Sequence, residues 1–201
     1  MRRPFLPLAI LLAVATGPAR AEDVDHPAYL SWAKQPVGTR IALRSATDSD
    51  GLVLTTTTTT TLKELRPDRA IFEVQRVSDA TGRLVTSAPE RSEIVRRFPL
   101  FPGVKREDIG KPAHADAQGK ETLKVVGREV SAVWFDTKTK GDGGSDVSTR
   151  TWMADEVPGR LVKSVIRIPQ AKTVVTVELV EWARPDAQPA PTSIPTASAS
   201  K

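Results

Sequence analysis

The sequence predicts an all-β domain with a minor α contribution: a single antiparallel, strongly curved sheet of about eight or nine strands forming a half-barrel or open barrel. A β sandwich is the alternative that the same strands would build. Three observations carry this. Stretches in which apolar and polar side chains alternate recur from Arg40 to Trp182, with the two-residue period of an extended chain that buries one face. Clusters of Gly, Pro and Asp separate them; in Thr149 to Lys163 a turn with Pro158 and Gly159 joins two such stretches into one antiparallel pair. β-branched residues are frequent, and Thr55 to Thr61 is an unbroken run of threonine, a residue whose stiff first torsion favours an extended chain.

The chain divides into three parts. Residues 1–21 have the form of a signal peptide: Arg2 and Arg3 precede a mostly apolar stretch from Leu6 to Val14, and Ala19-Arg20-Ala21 offers a small-x-small cleavage site. Arg2-Arg3-Pro4-Phe5-Leu6 is similar to the core of a twin-arginine signal, but the match is short and Sec export is favoured. Residues 22–183 form the antiparallel β domain, and residues 184–201, rich in Pro, Ala, Ser and Thr and without an aromatic ring, are expected to be a disordered tail. The apolar stretch of the signal is shorter than a membrane-spanning helix needs, and no later one replaces it, so no transmembrane span is expected in the mature form. The expected location is the periplasm or the exterior. The chain has no cysteine, hence no disulfide, no thiolate metal site and no residue for lipoprotein acylation. Removing Arg2, Arg3 and Arg20 from its 29 lysines and arginines leaves 26 against 24 acidic residues, too slight an excess to indicate a nucleic-acid partner.

The elements follow in order. His26 to Ala33 predicts a short helix with Pro27 in its first turn and Tyr29, Trp32 and Ala33 on one side, suited to plugging a sheet edge or barrel end. Arg40 to Ser45 is a first strand, and Asp48 to Gly51 a turn. Leu52 to Leu65 is a long strand whose identical threonines specify register poorly, leaving Leu52, Leu54, Leu62 and Leu65 to set it. A turn at Arg66 to Asp68 leads to a strand over Ala70 to Ser78, with Phe72 and Val74 on one face and Ile71 and Glu73 on the other. Asp79 to Gly82 turns again, Leu84 to Thr86 pairs briefly, and Ile94 to Phe98 is a further strand. Pro99 to Gly119 has no sustained period and reads as a long loop with one helical turn near Arg106 to Ile109. Thr122 to Val126 and Glu129 to Lys138 form a hairpin. The second strand of that hairpin has Val130, Ala132 and Trp134 on one face and Val133 and Phe135 on the other. Gly141 to Asp146 turns into the Thr149 to Lys163 hairpin; after Ile168 a turn at Pro169 to Ala171 leads to a last strand, Thr173 to Trp182.

These residues carry a resemblance. Trp32 followed by Pro36-Val37-Gly38-Thr39, the threonine-rich strand, and Trp152-Met153-Ala154-Asp155-Glu156-Val157-Pro158-Gly159-Arg160-Leu161-Val162-Lys163 resemble a group of exported bacterial β proteins, to which no activity attaches. More distantly, the strand order is similar to the LolA-like half-barrels that carry lipoproteins or lipids through the periplasm. The resemblance implies a shape; function has to come from a site.

Candidate chemistry is sparse. The two histidines, His26 and His114, have no Gly-x-Ser-x-Gly partner, and no set of ligands has zinc or calcium spacing. Asp155 and Glu156 are adjacent and point oppositely in extended chain, so they make no carboxylate pair for glycoside hydrolysis. No cofactor is expected, and the function predicted is non-enzymatic, with a carboxylate-dependent hydrolase as a remote alternative. The leading expectation is a binding module that holds an apolar or amphipathic ligand, such as a lipid, on the concave side of the sheet. Trp134 and Trp152 would line the cavity, and the Phe98 to Arg106 segment, with Phe98 and Phe101, would gate it. The alternative is an interaction protein of the cell envelope that uses sheet edges or the basic region 91–111, where Arg96, Arg97, Lys105 and Arg106 would contact a protein or polymer.

Overall fold

The computed structural model describes residues 22–185, so the signal of residues 1–21 and the tail beyond Pro185 lie outside it. The elements are β1 (Asp23–Asp25), α1 (Pro27–Trp32), β2 (Arg40–Ser49), β3 (Leu52–Leu65), β4 (Arg69–Ala80), β5 (Arg83–Thr86), β6 (Glu90–Val95), β7 (Arg97–Pro99), β8 (Ala117–Val125), β9 (Arg128–Lys140), β10 (Asp146–Met153), β11 (Leu161–Ile168) and β12 (Thr173–Ala183). Ten strands form one sheet in the order β5-β4-β3-β2-β12-β11-β10-β9-β8, with β6 also on β4; β1 and β7 pair as a separate ribbon. Two meanders, β2 to β5 and β8 to β12, are thus joined edge to edge by the antiparallel β12–β2 ladder.

The hairpins explain why the strands outrun their predicted limits. Asp50-Gly51, Thr81-Gly82 and Val126-Gly127 each have both residues at positive φ. Such two-residue turns match the twist of the flanking strands, so pairing continues up to the turn. Asp48 and Ser49 therefore stay in β2, and Asp79 and Ala80 in β4, where four-residue turns were expected. Their carboxylates still serve the turns: Asp48 accepts from the Gly51 N–H at 3.0 Å and Asp79 from the Gly82 N–H at 2.9 Å.

No ladder joins β8 to β5 or β6 among the described residues, so the sheet is open. It is nevertheless curled around α1. Tyr29 donates its hydroxyl hydrogen to the Arg66 carbonyl at 2.8 Å in the β3–β4 turn, while the Ser31 hydroxyl accepts from the Gly159 N–H at 3.0 Å in the β10–β11 turn. Four ladder steps separate β4 from β11, about 19 Å in a flat sheet, whereas a six-residue helix is only about 9 Å long. The core lies at this end of the strands. Tyr29 and Trp32 pack with Ile41, Leu62, Phe72, Val162, Leu179 and Trp182, and the Trp32 and Phe72 rings are 4.9 Å apart. Leu62 fixes the register that the threonines leave open: it is fully buried, and its backbone bonds to Gly38 and Thr39.

Other expectations are corrected. Ala33 is exposed because the helix ends at Trp32, leaving Ala33 as its C-cap. Ile94 to Phe98 is not one strand: β6 pairs with β4, then the chain leaves the sheet and β7 pairs with β1. The long loop is shorter than expected, since β7 ends at Pro99 and β8 begins at Ala117, and its helical turn is a single 3-10 turn at Arg106–Asp108.

Candidate functional site

In a strand successive side chains point to opposite faces, and residues directly opposite on neighbouring strands share one. Up to the register shift at Trp152 and Met153, the ladders therefore assign the residues of the central strands to the inner face, on which α1 lies, or the outer one; nearer its start, β9 turns Val130 and Ala132, which have the parity of Trp134, into the α1 cluster. Across Leu52–Leu62, Ile41–Ser49, Thr173–Leu179, Val162–Ile168, Val147–Thr151 and Val133–Thr139 the charged residues are Arg44, Asp48, Asp136, Lys138, Arg150, Lys163, Arg167 and Glu178, and all eight point outward. Within these stretches the inner face carries only aliphatic, aromatic and hydroxyl side chains; at its margins Arg76 of β4, opposite Thr58, and Lys120 of β8, opposite Val133, share it. At one end it is covered by α1; from there the uncharged surface runs on through Ser45, Thr56, Thr149, Ile166, Val175 and Val177 toward the opposite end of the sheet. Hydroxyls on it satisfy one another, as between Thr56 and Ser78 at 3.0 Å and between Thr151 and Ser164 at 3.3 Å.

The loop between β7 and β8 covers the β8–β9 side of this inner face. Beneath it lies a cavity of about 780 Å³ lined by Phe98, Leu100, Phe101, Val104, Ile109 and Phe135. A second cavity of about 630 Å³, lined by Val133, Phe135, Met153 and Lys120, adjoins it, and the two share Lys111, Gln118 and Phe135. Between them stands a pin. Arg160, at the end of the β10–β11 turn, donates to the Asp155 carboxylate at 2.8 Å and to the Gly110 carbonyl at 2.9 Å. Gly110 has φ +74°, and an added Cβ would meet the Pro27 side chain at 2.6 Å as well as Arg160, so only glycine fits where the loop touches the sheet.

Phe98, Phe101 and Lys105 line the larger cavity. Trp134 and Trp152 are brought together with each other but not with the phenylalanines. They stand opposite one another on the outer face. There the Arg150 guanidinium lies 4.6 Å from the Trp134 ring centre and 5.8 Å from that of Trp152, bound on its other side to the Asp136 carboxylate at 2.6 Å. That ion pair holds the Asp136 carboxyl below its usual pKa. Trp134 also lies against Gly119, whose added Cβ would sit 2.6 Å from the ring, and Trp152 donates its indole N–H to Glu121 at 2.8 Å. The signal that distinguishes these tryptophans is in the sequence: Trp134 has the parity of Asp136 and Lys138, and Trp152 that of Arg150.

The basic side chains are engaged with acids nearby. Arg96 and Arg97 approach Asp25 at 3.0 and 3.8 Å, Lys105 approaches Glu107 at 3.9 Å, and Arg106 pairs with Glu22. Two of those acids belong to the N-terminal segment, so the pairs tie the loop to it. His26 sits in this seam: its Nδ1 accepts from the Ala28 N–H at 3.1 Å as the helix N-cap, and its ring meets Phe98 edge-on at 5.5 Å. Burial lowers its pKa. Among the described residues no helix is long and apolar enough to cross a membrane.

No protein-family model and no curated protein matches the chain. Solved structures do. A protein described as exported, with a YmcC-like fold, from Bacteroides fragilis matches at 8% identity over 75% of this chain and 97% of its own, with a TM-score of 0.42. A protein described as a lipoprotein from Parabacteroides distasonis matches at 11% identity over 74% and 96%, with a TM-score of 0.42. A domain described as an outer membrane lipoprotein-sorting protein from Vibrio parahaemolyticus matches at 10% identity over 81% and 92%, with a TM-score of 0.24. The distant similarity to sorting domains that the strand order implied is therefore among the matches. At these identities and scores it extends to neither ligand nor activity.

Proposed function

We propose that the protein is a non-enzymatic, exported binding module that holds an apolar or amphipathic ligand along the inner face of its sheet. The observation that supports this is the segregation of charge: every charged side chain in these stretches of the central ladders faces out, and the inner face runs uncharged past the end of α1 to two adjoining cavities whose linings add charged groups such as Lys105, Asp108, Lys111 and Lys120 to the apolar ones. A sheet needs an apolar face only where something covers it. Here α1 covers one end, and a ligand of matching polarity covers the rest. Phe98 of β7 and Phe101 of the loop line the cavity beside β9, and the serine and threonine hydroxyls accommodate ester or hydroxyl groups of an amphiphile.

Native mass spectrometry of the exported protein, followed by denaturation and organic extraction, tests this. A reproducible added mass that extracts as a lipid or other amphiphile is expected. Val177→Lys, which places a charge on the inner face, is expected to abolish the added mass, and Thr176→Lys, one residue away on the outer face, to leave it. A clean apo mass across preparations overturns the reading.

A further inference from the structure

The end of the sheet opposite α1 is apolar without being buried. Six aliphatic side chains cluster at its tips: Leu52, Val53 and Leu54 at 62, 51 and 43% exposed, Leu84 and Val85 at 68 and 57%, and Val174 at 37%. They belong to β5, β3 and β12, each separated from the next by a single strand: Leu54 pairs with Ala80 of β4, itself paired with β5, and Val53 and Val174 flank Asp48 of β2. Leu52, Leu54 and Val85 point to the inner face, and Val53, Leu84 and Val174 to the outer. The turns that present them are tight, with Asp50-Gly51 and Thr81-Gly82 held at positive φ and each capped by an aspartate.

A protein partner seated on one face would leave half of these side chains in water. A phase that surrounds the tips covers all six. Charge narrows the choice further. The acids at this end are already engaged: Asp48 and Asp79 with their own turn amides, and Asp50 with Lys172 at 3.3 Å. Arg83, next to Leu84, and Arg167, directly opposite Val174, have no ion pair among the described residues. Uncommitted guanidinium groups flanking an apolar tip complement the phosphates above an acyl layer.

We propose that this end of the sheet docks on the surface of a phospholipid membrane, with the β2–β3 and β4–β5 tips entering the boundary between headgroups and acyl chains and Arg83 and Arg167 lying among the phosphates. The docking goes beyond the binding reading and does not require that the inner face hold a ligand. It places the open end of the uncharged face against the lipid.

Cosedimentation of the exported protein with phosphatidylcholine vesicles, with and without phosphatidylglycerol, tests it. The protein is expected to bind both, more tightly with phosphatidylglycerol. Leu52→Ser combined with Leu84→Ser is expected to weaken binding to both roughly tenfold or more, as withdrawing two leucines from an apolar phase implies. Arg83→Gln with Arg167→Gln is expected to remove only the gain from phosphatidylglycerol. All four positions are on the surface, so unchanged thermal unfolding shows that the variants are folded. No binding by the unsubstituted protein, or binding that the leucine substitutions leave unchanged, overturns the proposal. Concentration-dependent self-association in analytical ultracentrifugation that the leucine substitutions abolish, without vesicle binding, assigns the surface to a second copy instead. Repeating the vesicle assay on protein stripped of extractable mass separates this result from the fate of the ligand reading.

Discussion

Strand β3 carries Leu62, fully buried, and Leu52, 62% exposed, ten residues apart on the same inner face. Both face the same way, Leu62 opposite Phe72 of β4 and Leu52 opposite Ser49 of β2. The difference is a covering layer: Trp32 and Phe72 pack in one cluster with Leu62, and nothing among the described residues lies over Leu52. A strand's register decides which side chains share a face. Whether that face is a core or a contact surface depends on what lies across it, here one six-residue helix.

Substitutions at the two ends should separate these regimes. Leu62→Ala is expected to cost about 3 kcal/mol or more in denaturant unfolding, because it opens a cavity in a packed cluster. Leu54→Ala, on the same face of the same strand, should cost below about 1 kcal/mol. Comparable losses would show that the far end is covered too. Gly119→Ala should cost about 1 to 3 kcal/mol, because the new methyl runs into the rigid Trp134 ring on the outer face, and equilibrium unfolding reads it. Tyr29→Phe keeps the ring but drops the bond to Arg66 that helps hold α1 across the curled sheet; a loss of about 1 kcal/mol is expected, with faster amide exchange in α1.

The smallest effect is that of pH on the seam between α1 and the loop. Burial lowers the folded-state pKa of His26, so the unfolded chain, with its ordinary value near 6.5, binds the proton first. Stability from this group is therefore full above about pH 6.5 and falls as pH drops through that value toward the lowered folded pKa. His26→Asn keeps an N-cap acceptor without a titrating ring and should flatten the melting temperature between pH 7.5 and 5.5. An unchanged pH profile would place the titration elsewhere.

Much of this architecture was legible in the sequence. The limits of β3, Leu52 and Leu65, are those the threonine run and its flanking turns imply, and the helix with Tyr29 and Trp32 inward follows from Pro27 and the spacing of the rings. β1 and β7, three residues each, are too short to show a period, and only their mutual pairing makes them strands. For the site, alternation correctly separated Trp134 from Phe135, but aromatic size favoured the tryptophans as cavity lining. Which face is inside is a property of the assembled sheet. Its trace in the sequence is the parity of charge, strand by strand, and that is a better guide here than ring size. The contact of Gly110 with Arg160 across 50 residues has no local signature at all.

An open sheet also has two strand edges with unsatisfied backbone groups, and such edges invite other chains to add on. The edges of this one carry Lys120, Glu121 and Lys124 on β8 and Glu90, Arg91 and Glu93 on β6. The run from Thr55 to Thr61, uncharged, β-branched and free of Pro and Gly, is the segment best suited to stacking with copies of itself. It lies between β2 and β4, with both of its hydrogen-bonding sides occupied. The strand order thus keeps the stretch best suited to stacking inside the sheet and leaves the charged strands β8 and β6, with the four-residue β5, at its margins.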